Sequence, residues 1–291
     1  MYQFDLLGNK TEVYHNIVNV ASVQQLSPFR YPGGKTWLIP QIYKWIGSLQ
    51  FIPKLFIEPF AGGGIVSLTI ANANLAEHVI MVEIDEEIAS VWKTVFYGDV
   101  DWLIHRIISF NMSVENVNAV ISVDYSSDEE KAFKTIIKNR TFHGGILAKG
   151  SGLIKYGENG KGVNSRWYPQ TLAKRLNHIK KLRNKITFIQ GNGLEIIKGN
   201  LSNNNAFFFD PPYTAGGKRA GNRLYNYHEL DHELLFSLSN HIEYFLMTYD
   251  VSEEIVDLAQ KNKFFIKKIP MKNTHNREMK EYIISKNLQW I

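Results

Sequence analysis

The chain contains no cysteine. It therefore cannot form disulfides, use a thiolate nucleophile or hold a cysteine-ligated zinc or iron–sulfur site, and a reducing compartment is its expected setting. No apolar run approaches the ~20 residues of a membrane-spanning helix, and the N-terminus has neither the basic nor the apolar region of a secretory signal. We therefore expect a cytoplasmic protein with no membrane partner.

The sequence also disfavours a P-loop nucleotide site and a metal site. Gly33-Gly34-Lys35-Thr36 resembles the end of a phosphate-binding P-loop, but that motif requires glycine at position 29, where this chain has phenylalanine. Without cysteine ligands, histidines such as His143, His228 and His232 are interpreted as surface or hydrogen-bonded residues. We therefore expect no metal.

The 291 residues are 44% hydrophobic and 21% charged, which is typical of a folded globular protein. The net charge of +5 is unevenly distributed. Residues 131–185 contain fourteen Lys or Arg and one acid, Glu158, so this segment carries +13 and the rest of the chain −8. A basic face of this kind attracts a polyanion such as nucleic acid, although a solvated loop region would have the same composition.

Short apolar runs separated by helical patterns predict an α/β fold. The runs 55–57 and 79–82 flank a predicted helix over Ile65–Leu75, which is the strand–helix–strand unit of a parallel sheet. Further central strands are predicted at residues 187–189, 206–209 and 244–247. The runs 264–266 and 282–284 leave no room for a crossover helix, so they should pair antiparallel. We expect a doubly wound, mostly parallel sheet with an antiparallel C-terminal strand.

Residues 98–178 interrupt this alternation and hold ten of the fourteen basic side chains of residues 131–185, together with several glycine clusters. We interpret this segment as an inserted basic module. Residues 1–97 and 179–291 would then form one sheet domain, in which residues 1–28 are an arm or a covering segment.

Glu58-Pro59-Phe60-Ala61-Gly62-Gly63-Gly64 follows the first predicted strand and leads into a helix. Such a glycine turn lets a ligand approach main-chain atoms at the carboxyl end of a strand, as in nucleotide sites. It lacks the dinucleotide fingerprint, whose third glycine would fall at Ser67. Glu83 ends the second strand about twenty residues later, where an acid can accept hydrogen bonds from ribose hydroxyls, and Asp85 is an alternative. A tight turn followed by helix-capping acids would have the same pattern.

The tetrapeptide Asp210-Pro211-Pro212-Tyr213 directly follows a predicted strand. The prolines exclude helix, so the carboxylate, the Pro211 carbonyl and the phenol ring are held in one rigid arrangement. Polar acceptors beside an aromatic ring suit a planar heterocycle that carries an amino group. A strand-ending turn could have this sequence, but the glycine loop and the acid at the second strand favour a functional site.

Together these motifs resemble, in order over most of the chain, the Dam-like (alpha-group) S-adenosylmethionine-dependent DNA adenine-N6 methyltransferases. In that family the target-recognition module is inserted into a Rossmann-like catalytic domain. Arg30 to Lys35 resembles the family's first cofactor motif, Glu58 to Gly64 its glycine loop, and Asp210 to Tyr213 its catalytic tetrapeptide. Asp231-His232 and Thr248-Tyr249-Asp250 fit the later pattern.

The resemblance implies S-adenosylmethionine as the cofactor, bound by Tyr31, Lys35, Phe60, Gly62, Gly64, Glu83, Asn192 and Asp210. Asn192 is a departure, because relatives often have an acid there. The resemblance also implies Asp210, Pro211, Pro212 and Tyr213 as the catalytic residues. Asp210 and the Pro211 carbonyl would accept the hydrogens of the adenine amino group, and Tyr213 would stack on a base flipped out of the duplex.

Double-stranded DNA is the implied partner, with residues 98–178 as the target-recognition domain and 1–97 plus 179–291 as the catalytic domain. Expected DNA contacts are Lys138, Arg140, Lys149, Lys155, Lys161 and Arg166. We expect a monomer in the cytoplasm at the nucleoid; a dimer on DNA and a cognate restriction endonuclease stay open. Alternatives are methylation of RNA adenine N6 or DNA cytosine N4, and a DNA-binding relative without activity.

Overall fold

The computed structural model describes residues 2–4, 10–12, 18–30, 33–148, 150–212, 230–272 and 278–291. Its strands are β1 (Tyr2–Phe4), β2 (Lys10–Glu12), β3 (Leu55–Glu58), β4 (His78–Glu83), β5 (Ile186–Gln190), β6 (Asn205–Phe209), β7 (Tyr244–Asp250), β8 (Phe265–Lys272) and β9 (Glu278–Ser285). Its α-helices are α1 (Ile39–Ser48), α2 (Ile65–Asn72), α3 (Glu86–Phe96), α4 (Val100–Ser109), α5 (Val114–Ile121), α6 (Asp128–Thr141), α7 (Pro169–Lys180), α8 (Gly193–Gly199), α9 (His232–Ser239) and α10 (Glu253–Lys261).

Within these residues, a seven-stranded sheet has the order β5-β4-β3-β6-β7-β9-β8, and β1 and β2 form a separate antiparallel pair. Strands β5, β4, β3, β6 and β7 are parallel, whereas β9 is antiparallel to both β7 and β8. This confirms the predicted α/β fold with an antiparallel C-terminal strand. The chain runs outward from β3 to β5 on one side and from β6 to β7 on the other. The carboxyl ends of β3 and β6 therefore meet at the point where ligands bind in doubly wound sheets.

The sheet is covered on both faces, which explains why its central strands are continuous apolar runs. All five residues of β6 are buried. Ala206 and Phe208 pack into the larger core on one face, and Phe207 and Phe209 into the smaller core on the other. Burial on both faces also holds the end of β6 rigidly, so the residue that follows, Asp210, has a fixed position.

Two details of the predicted elements are wrong. Residues 187–189 were expected in a central strand, but β5 is an edge strand of the described sheet. The Tyr97 hydroxyl lies at this edge, where it donates to the Phe188 carbonyl and accepts from the Phe188 amide, each at 2.8 Å. This side chain supplies the hydrogen bonds that a further strand would make. Helix α2 ends before the expected Leu75, because Asn74 has a left-handed backbone with φ of 52°.

The strands of the described sheet lie outside residues 98–178. The α-helices of this part of the chain are α4 to α7, and the predicted boundary at residue 178 falls within the last turn of α7. These helices share one hydrophobic core with the sheet. Leu103 of α4 and Ile136 of α6 belong to the same buried cluster as Phe56 of β3 and Val91 of α3. The segment therefore packs against the sheet side of the molecule through apolar contacts.

Side chains of α6 and α7 also hold residues 26–30. Below, the arm means these five residues, which overlap the end of the arm or covering segment predicted at residues 1–28. Asn139 is fully buried; its Oδ1 accepts from the Arg30 amide at 2.9 Å, and its Nδ2 donates to the Arg30 and Gly145 carbonyls at 3.0 and 2.9 Å. Arg140 donates to the Pro28 carbonyl, and Arg175 donates to the Ser27 carbonyl at 2.8 Å. The arm is thus held by the inserted segment through its backbone.

We expect Asn139→Asp to lower the free energy of unfolding by about 2–3 kcal/mol, because a second acceptor then faces the Arg30 and Gly145 carbonyls in a buried position. Urea denaturation followed by circular dichroism measures the change. Asn118→Asp on the exposed side of α5 is the matched control and should be nearly neutral. Equal effects in the two variants would show that the amide of Asn139 does not fasten the arm.

Candidate active site

Acidic and polar side chains stand at the carboxyl ends of neighbouring strands. Glu58 ends β3, Glu83 ends β4, Asn192 follows β5, Asp210 follows β6 and Asp250 ends β7. Because these strands are parallel, the side chains lie along one edge of the sheet, with β3 and β6 at its centre. The structure therefore brings Glu83, Asp210 and the glycine loop, which lie far apart in sequence, to one edge.

The glycine loop, residues 58–64, adopts a backbone that requires glycine at two positions. Gly62 and Gly64 have φ of 48° and 64°. A Cβ on Gly64 would come within 2.6 Å of Met81 Cε and 3.0 Å of the Trp92 ring. Trp92 is fully buried, and its indole N–H donates to the Gly62 carbonyl at 2.9 Å. Packing against a rigid aromatic side chain therefore fixes the loop.

Two buried glutamates accept hydrogen bonds from the backbone of the glycine loop and of the elements next to it. Glu83 Oε2 accepts from the Gly62 amide at 2.8 Å, and its Oε1 accepts from the Ile84 and Asp85 amides at 2.8 and 2.9 Å. Glu58 Oε2 accepts from the Ser67 amide at 2.9 Å. Burial raises the pKa of Glu83 to about 7 and that of Glu58 to about 8, against opposing hydrogen bonds from these amides.

Lys35 is buried beside the predicted catalytic aspartate. Its Nζ lies 2.9 Å from Asp210 Oδ1 and 3.5 Å from Glu281 Oε2, and it donates to the Gly33 carbonyl at 2.7 Å. Asp210 Oδ1 also accepts from the Thr248 hydroxyl at 2.8 Å. The carboxylate of Asp210 is thus oriented by one ammonium and one hydroxyl, while its side chain keeps 21% of its surface exposed.

Asn192 and Phe60 lie where the loop after β5 meets the glycine loop. Asn192 is exposed and caps α8, its Oδ1 accepting from the Leu194 amide at 2.9 Å. The adjacent Gly193 packs so closely that a Cβ there would come within 2.4 Å of the Pro59 carbonyl and 3.0 Å of the Phe60 ring. The structure therefore places Asn192 next to the glycine loop, with its side-chain oxygen already engaged in the helix cap.

Pro211 is buried and Pro212 half-buried directly after Asp210. Tyr31, Tyr213 and Lys149, three of the predicted site residues, lie outside the described residues. Their assigned roles therefore remain predictions from the sequence.

The structure separates the predicted DNA-contacting residues into two groups. Lys155 and Lys161 are exposed on a glycine-rich loop, and Arg166 is half-buried at the end of a short 3-10 helix. Lys138 instead pairs with Glu87 of α3, and Arg140 is only 5% exposed. The Arg140 guanidinium donates to the Pro28 carbonyl of the arm and therefore faces the protein in this structure. Burial lowers its pKa to about 9.

Glu281 contacts Lys35, and Thr248 contacts Asp210. No role at this site had been predicted for either residue. Thr248 belongs to a motif already noted, but its contact with Asp210 depends on the pairing of β6 with β7. Glu281 immediately precedes the apolar run at 282–284 and is 5% exposed. Glu281 lies two residues before the buried Ile283, so both side chains are on the same face of the strand. This spacing is the one sequence signal that could have indicated a buried charge at Glu281.

The part of the chain that the structure describes contains no cluster of three or more His, Asp or Glu that could hold a metal ion. None of the described helices is both long and apolar enough to cross a membrane.

We expect the free energy of unfolding to fall as pH rises from about 4.5 to 8. Glu58 and Glu83 have pKa values above the ordinary 4.5, so over this range the folded state binds their protons more tightly than the unfolded state. Glu58→Gln keeps an acceptor for the Ser67 amide but cannot ionise, so it should flatten this decline. Thermal melting in half-unit pH steps tests this, with the exposed Glu77→Gln as control. An unchanged slope in Glu58→Gln would contradict it.

The chain is similar to a curated protein and to solved structures. Type II methyltransferase M.MjaIII of Methanocaldococcus jannaschii is 25% identical over 219 residues, which span 65% of this chain and 70% of that protein. Among solved structures, a Pyrococcus horikoshii protein assigned to the RNA methyltransferases aligns with a TM-score of 0.40 and 11% identity, over 92% of this chain and 95% of the other. The rRNA methyltransferase AviRa of Streptomyces viridochromogenes aligns with a TM-score of 0.36 and 11% identity, over 94% and 93%.

The profile of the D12 class N6 adenine-specific DNA methyltransferases matches residues 31–275. This range begins just after the arm and includes the glycine loop, Glu83, the Asp-Pro-Pro motif and Thr248. Since the match spans most of the chain, the protein belongs to the D12 class N6 adenine-specific DNA methyltransferase family.

Proposed function

We propose that this protein transfers a methyl group from S-adenosylmethionine to the N6 atom of an adenine that is flipped out of duplex DNA at a specific sequence. Membership of the D12 family supports the reaction class. The observation that carries the proposal is the ion pair between the buried Lys35 and Asp210, which orients the first residue of the Asp-Pro-Pro motif at the centre of the sheet edge.

The residues at this edge fit S-adenosylmethionine by their chemistry. The cofactor is a sulfonium cation, and when bound it would supply an activated methyl group. The carboxylates of Asp210 and Glu281 both lie beside the Lys35 ammonium, so two acids face one cation in these contacts, an environment that can accommodate a further cation. The positive φ of Gly62 and Gly64 gives the loop a tight turn at the carboxyl end of β3, where a ligand can approach main-chain atoms.

Glu83 has capacity for one ribose hydroxyl. A carboxylate accepts about four hydrogen bonds, and three of these positions are taken by the Gly62, Ile84 and Asp85 amides. In this proposal Glu83 therefore binds the ribose with its remaining lone pair while it holds the loop. Phe60, Gly62, Gly64 and Asn192 would line the adenosine, and Tyr31, Lys35 and Asp210 the methionine end.

Asp210 and the Pro211 carbonyl act on the target base by accepting the two hydrogens of its amino group. Because Lys35 and Thr248 hold Asp210 Oδ1, the carboxylate plane is set before the base arrives. Fixing both hydrogens directs the nitrogen lone pair toward the methyl group, so catalysis depends mainly on positioning. Stacking on Tyr213, typically worth ~1–3 kcal/mol, would offset the few kcal/mol needed to extrude the base.

Residues 98–178 recognise the target in this proposal. Lys155 and Lys161 are exposed on their glycine-rich loop and would contact phosphates, as would Lys149 and Arg166. Lys138 and Arg140 contribute less, since both face the protein. The enzyme would act on DNA in the cytoplasm as a monomer or a pair, alone or beside a restriction endonuclease. RNA adenine, cytosine N4 and loss of activity are the alternative outcomes of the first experiment below.

Expression in a host without adenine methylation, followed by single-molecule sequencing of its DNA, should reveal N6-methyladenine within a short consensus. Asp210→Asn should reduce methylation on the order of 10²-fold or more, because the amide pairs poorly with Lys35 and presents a weaker acceptor. The exposed Asp257→Asn is the matched control and should be fully active. Full activity in Asp210→Asn, or modification of cytosine or RNA alone, would contradict the proposal.

The logarithm of the binding constant for a DNA duplex should fall linearly with the logarithm of the salt concentration. Replacing Lys155 and Lys161 by alanine should reduce the slope by roughly 0.9 for each phosphate that the variant no longer neutralises. Fluorescence anisotropy with a labelled duplex, titrated from about 50 to 250 mM salt, measures the slope. Lys44→Ala on the exposed face of α1 serves as the control. An unchanged slope in the double variant would remove these lysines from the interface.

A further inference from the structure

We propose that Glu281 is a positioning residue for methyl transfer: its ionised carboxylate shares the Lys35 ammonium with Asp210, so that Asp210 keeps its strength as an acceptor for the target amino group. The inference rests on the proposed function. It concerns a residue of β9 that lies outside the glycine loop and outside the Asp-Pro-Pro motif.

The geometry around Lys35 supports this division of its charge. Among the oxygen atoms that lie near its Nζ are the Gly33 carbonyl at 2.7 Å, Asp210 Oδ1 at 2.9 Å and Glu281 Oε2 at 3.5 Å. Both Lys35 and Glu281 are buried, so the charges interact through a medium that screens them weakly. A lysine engaged by Asp210 alone would withdraw more electron density from that carboxylate than one shared by two acids.

The sheet places Glu281 so that its charge acts on this cluster. In register, Glu281 lies opposite Asp250 of β7 on one side and Ile269 of β8 on the other. Its electrostatic neighbours are Lys35 from the short 3-10 helix before α1, Asp210 from the end of β6, and Asp250. Burial raises the pKa of Glu281 to about 7; Asp210 and Asp250 add to the rise and Lys35 opposes it.

If Glu281 served only to stabilise the fold, Glu281→Gln should lower the melting temperature at pH 8. The raised pKa of Glu281 predicts a higher melting temperature instead. A carboxyl whose pKa is raised by burial destabilises the fold once it ionises, so an amide of the same shape would be better tolerated at pH 8. A side chain that costs stability at working pH is typical of a residue kept for function. Glu281→Gln therefore separates the two roles, because stability and activity should change in opposite directions.

The test compares the full chain with Glu281→Gln, Glu281→Asp and the matched control Glu278→Gln, which is exposed on the same strand. Methyl transfer to a duplex carrying the mapped consensus is measured from pH 6 to 9, with kcat and KM for DNA determined separately. Thermal melting over the same pH range is the second readout. It reports on Glu281 without any cofactor or DNA present.

We expect Glu281→Gln to lower kcat about tenfold at pH 8.5, which corresponds to about 1.4 kcal/mol, with little change in KM for DNA. Below about pH 6, where the wild-type Glu281 is itself protonated, the two rates should converge. The variant should melt at a higher temperature than the wild type throughout pH 6 to 9, because the unfolded carboxyl ionises near its ordinary 4.5, and the difference should be largest above about pH 7. Glu281→Asp should recover part of the rate, and Glu278→Gln should match the wild type in both measurements.

Three results would overturn the inference: an unchanged kcat at pH 8.5, a loss of kcat that is the same at every pH, or a melting temperature lowered at pH 8.5. Failure of the proposed function is distinguishable from these. In that case the wild type itself leaves DNA adenine unmodified, and the role of Glu281 fails with it. If the wild type is active, Asp210→Asn is inactive and Glu281→Gln is normal, only the role of Glu281 is wrong.

Discussion

The arrangement of the site depends on one ion pair, between the buried ammonium of Lys35 and the partly exposed carboxylate of Asp210. Removing two charges from water carries a large desolvation penalty, and such a pair often stabilises a protein less than apolar residues of similar volume would. Its presence at the carboxyl end of β6 is therefore better explained by the chemistry of Asp210 than by stability. The pair also joins a residue near the N-terminus to the centre of the sheet, so the position of Lys35 matters as much as that of Asp210.

The inserted segment contributes to that position. Asn139 and Arg140 of α6 hold the backbone of Arg30 and Pro28, and five residues beyond Arg30 the chain reaches Lys35. The arm also contacts the glycine loop, because the Ser27 hydroxyl donates to the Gly63 carbonyl at 2.5 Å. A segment proposed to recognise DNA is thus mechanically connected to both halves of the proposed cofactor site. These hydrogen bonds add to the apolar core that the segment shares with the sheet.

Much of this fold was predictable because the central strands are buried on both faces. Short apolar runs such as residues 207–209 are typical of strands buried on both faces, and motifs at their ends then fall at one sheet edge. Contacts that depend on register were not predictable. Glu281 reaches Lys35 only because β9 enters antiparallel between β7 and β8. The inward orientation of Arg140 was equally hidden, since charge counting treats every basic side chain as exposed.

Glu83 shows how closely structure and chemistry are combined at this edge. An acid at the end of the second strand was expected to serve a ribose, yet three backbone amides already bind its two oxygens. Its first effect is to hold Gly62 and the start of α3, and any ribose contact is added to that. Loss of cofactor binding in a Glu83 variant would therefore not by itself identify a ribose ligand, because the glycine loop would lose its support at the same time. A distinction requires a cofactor analogue without the ribose hydroxyls, bound to the unaltered protein.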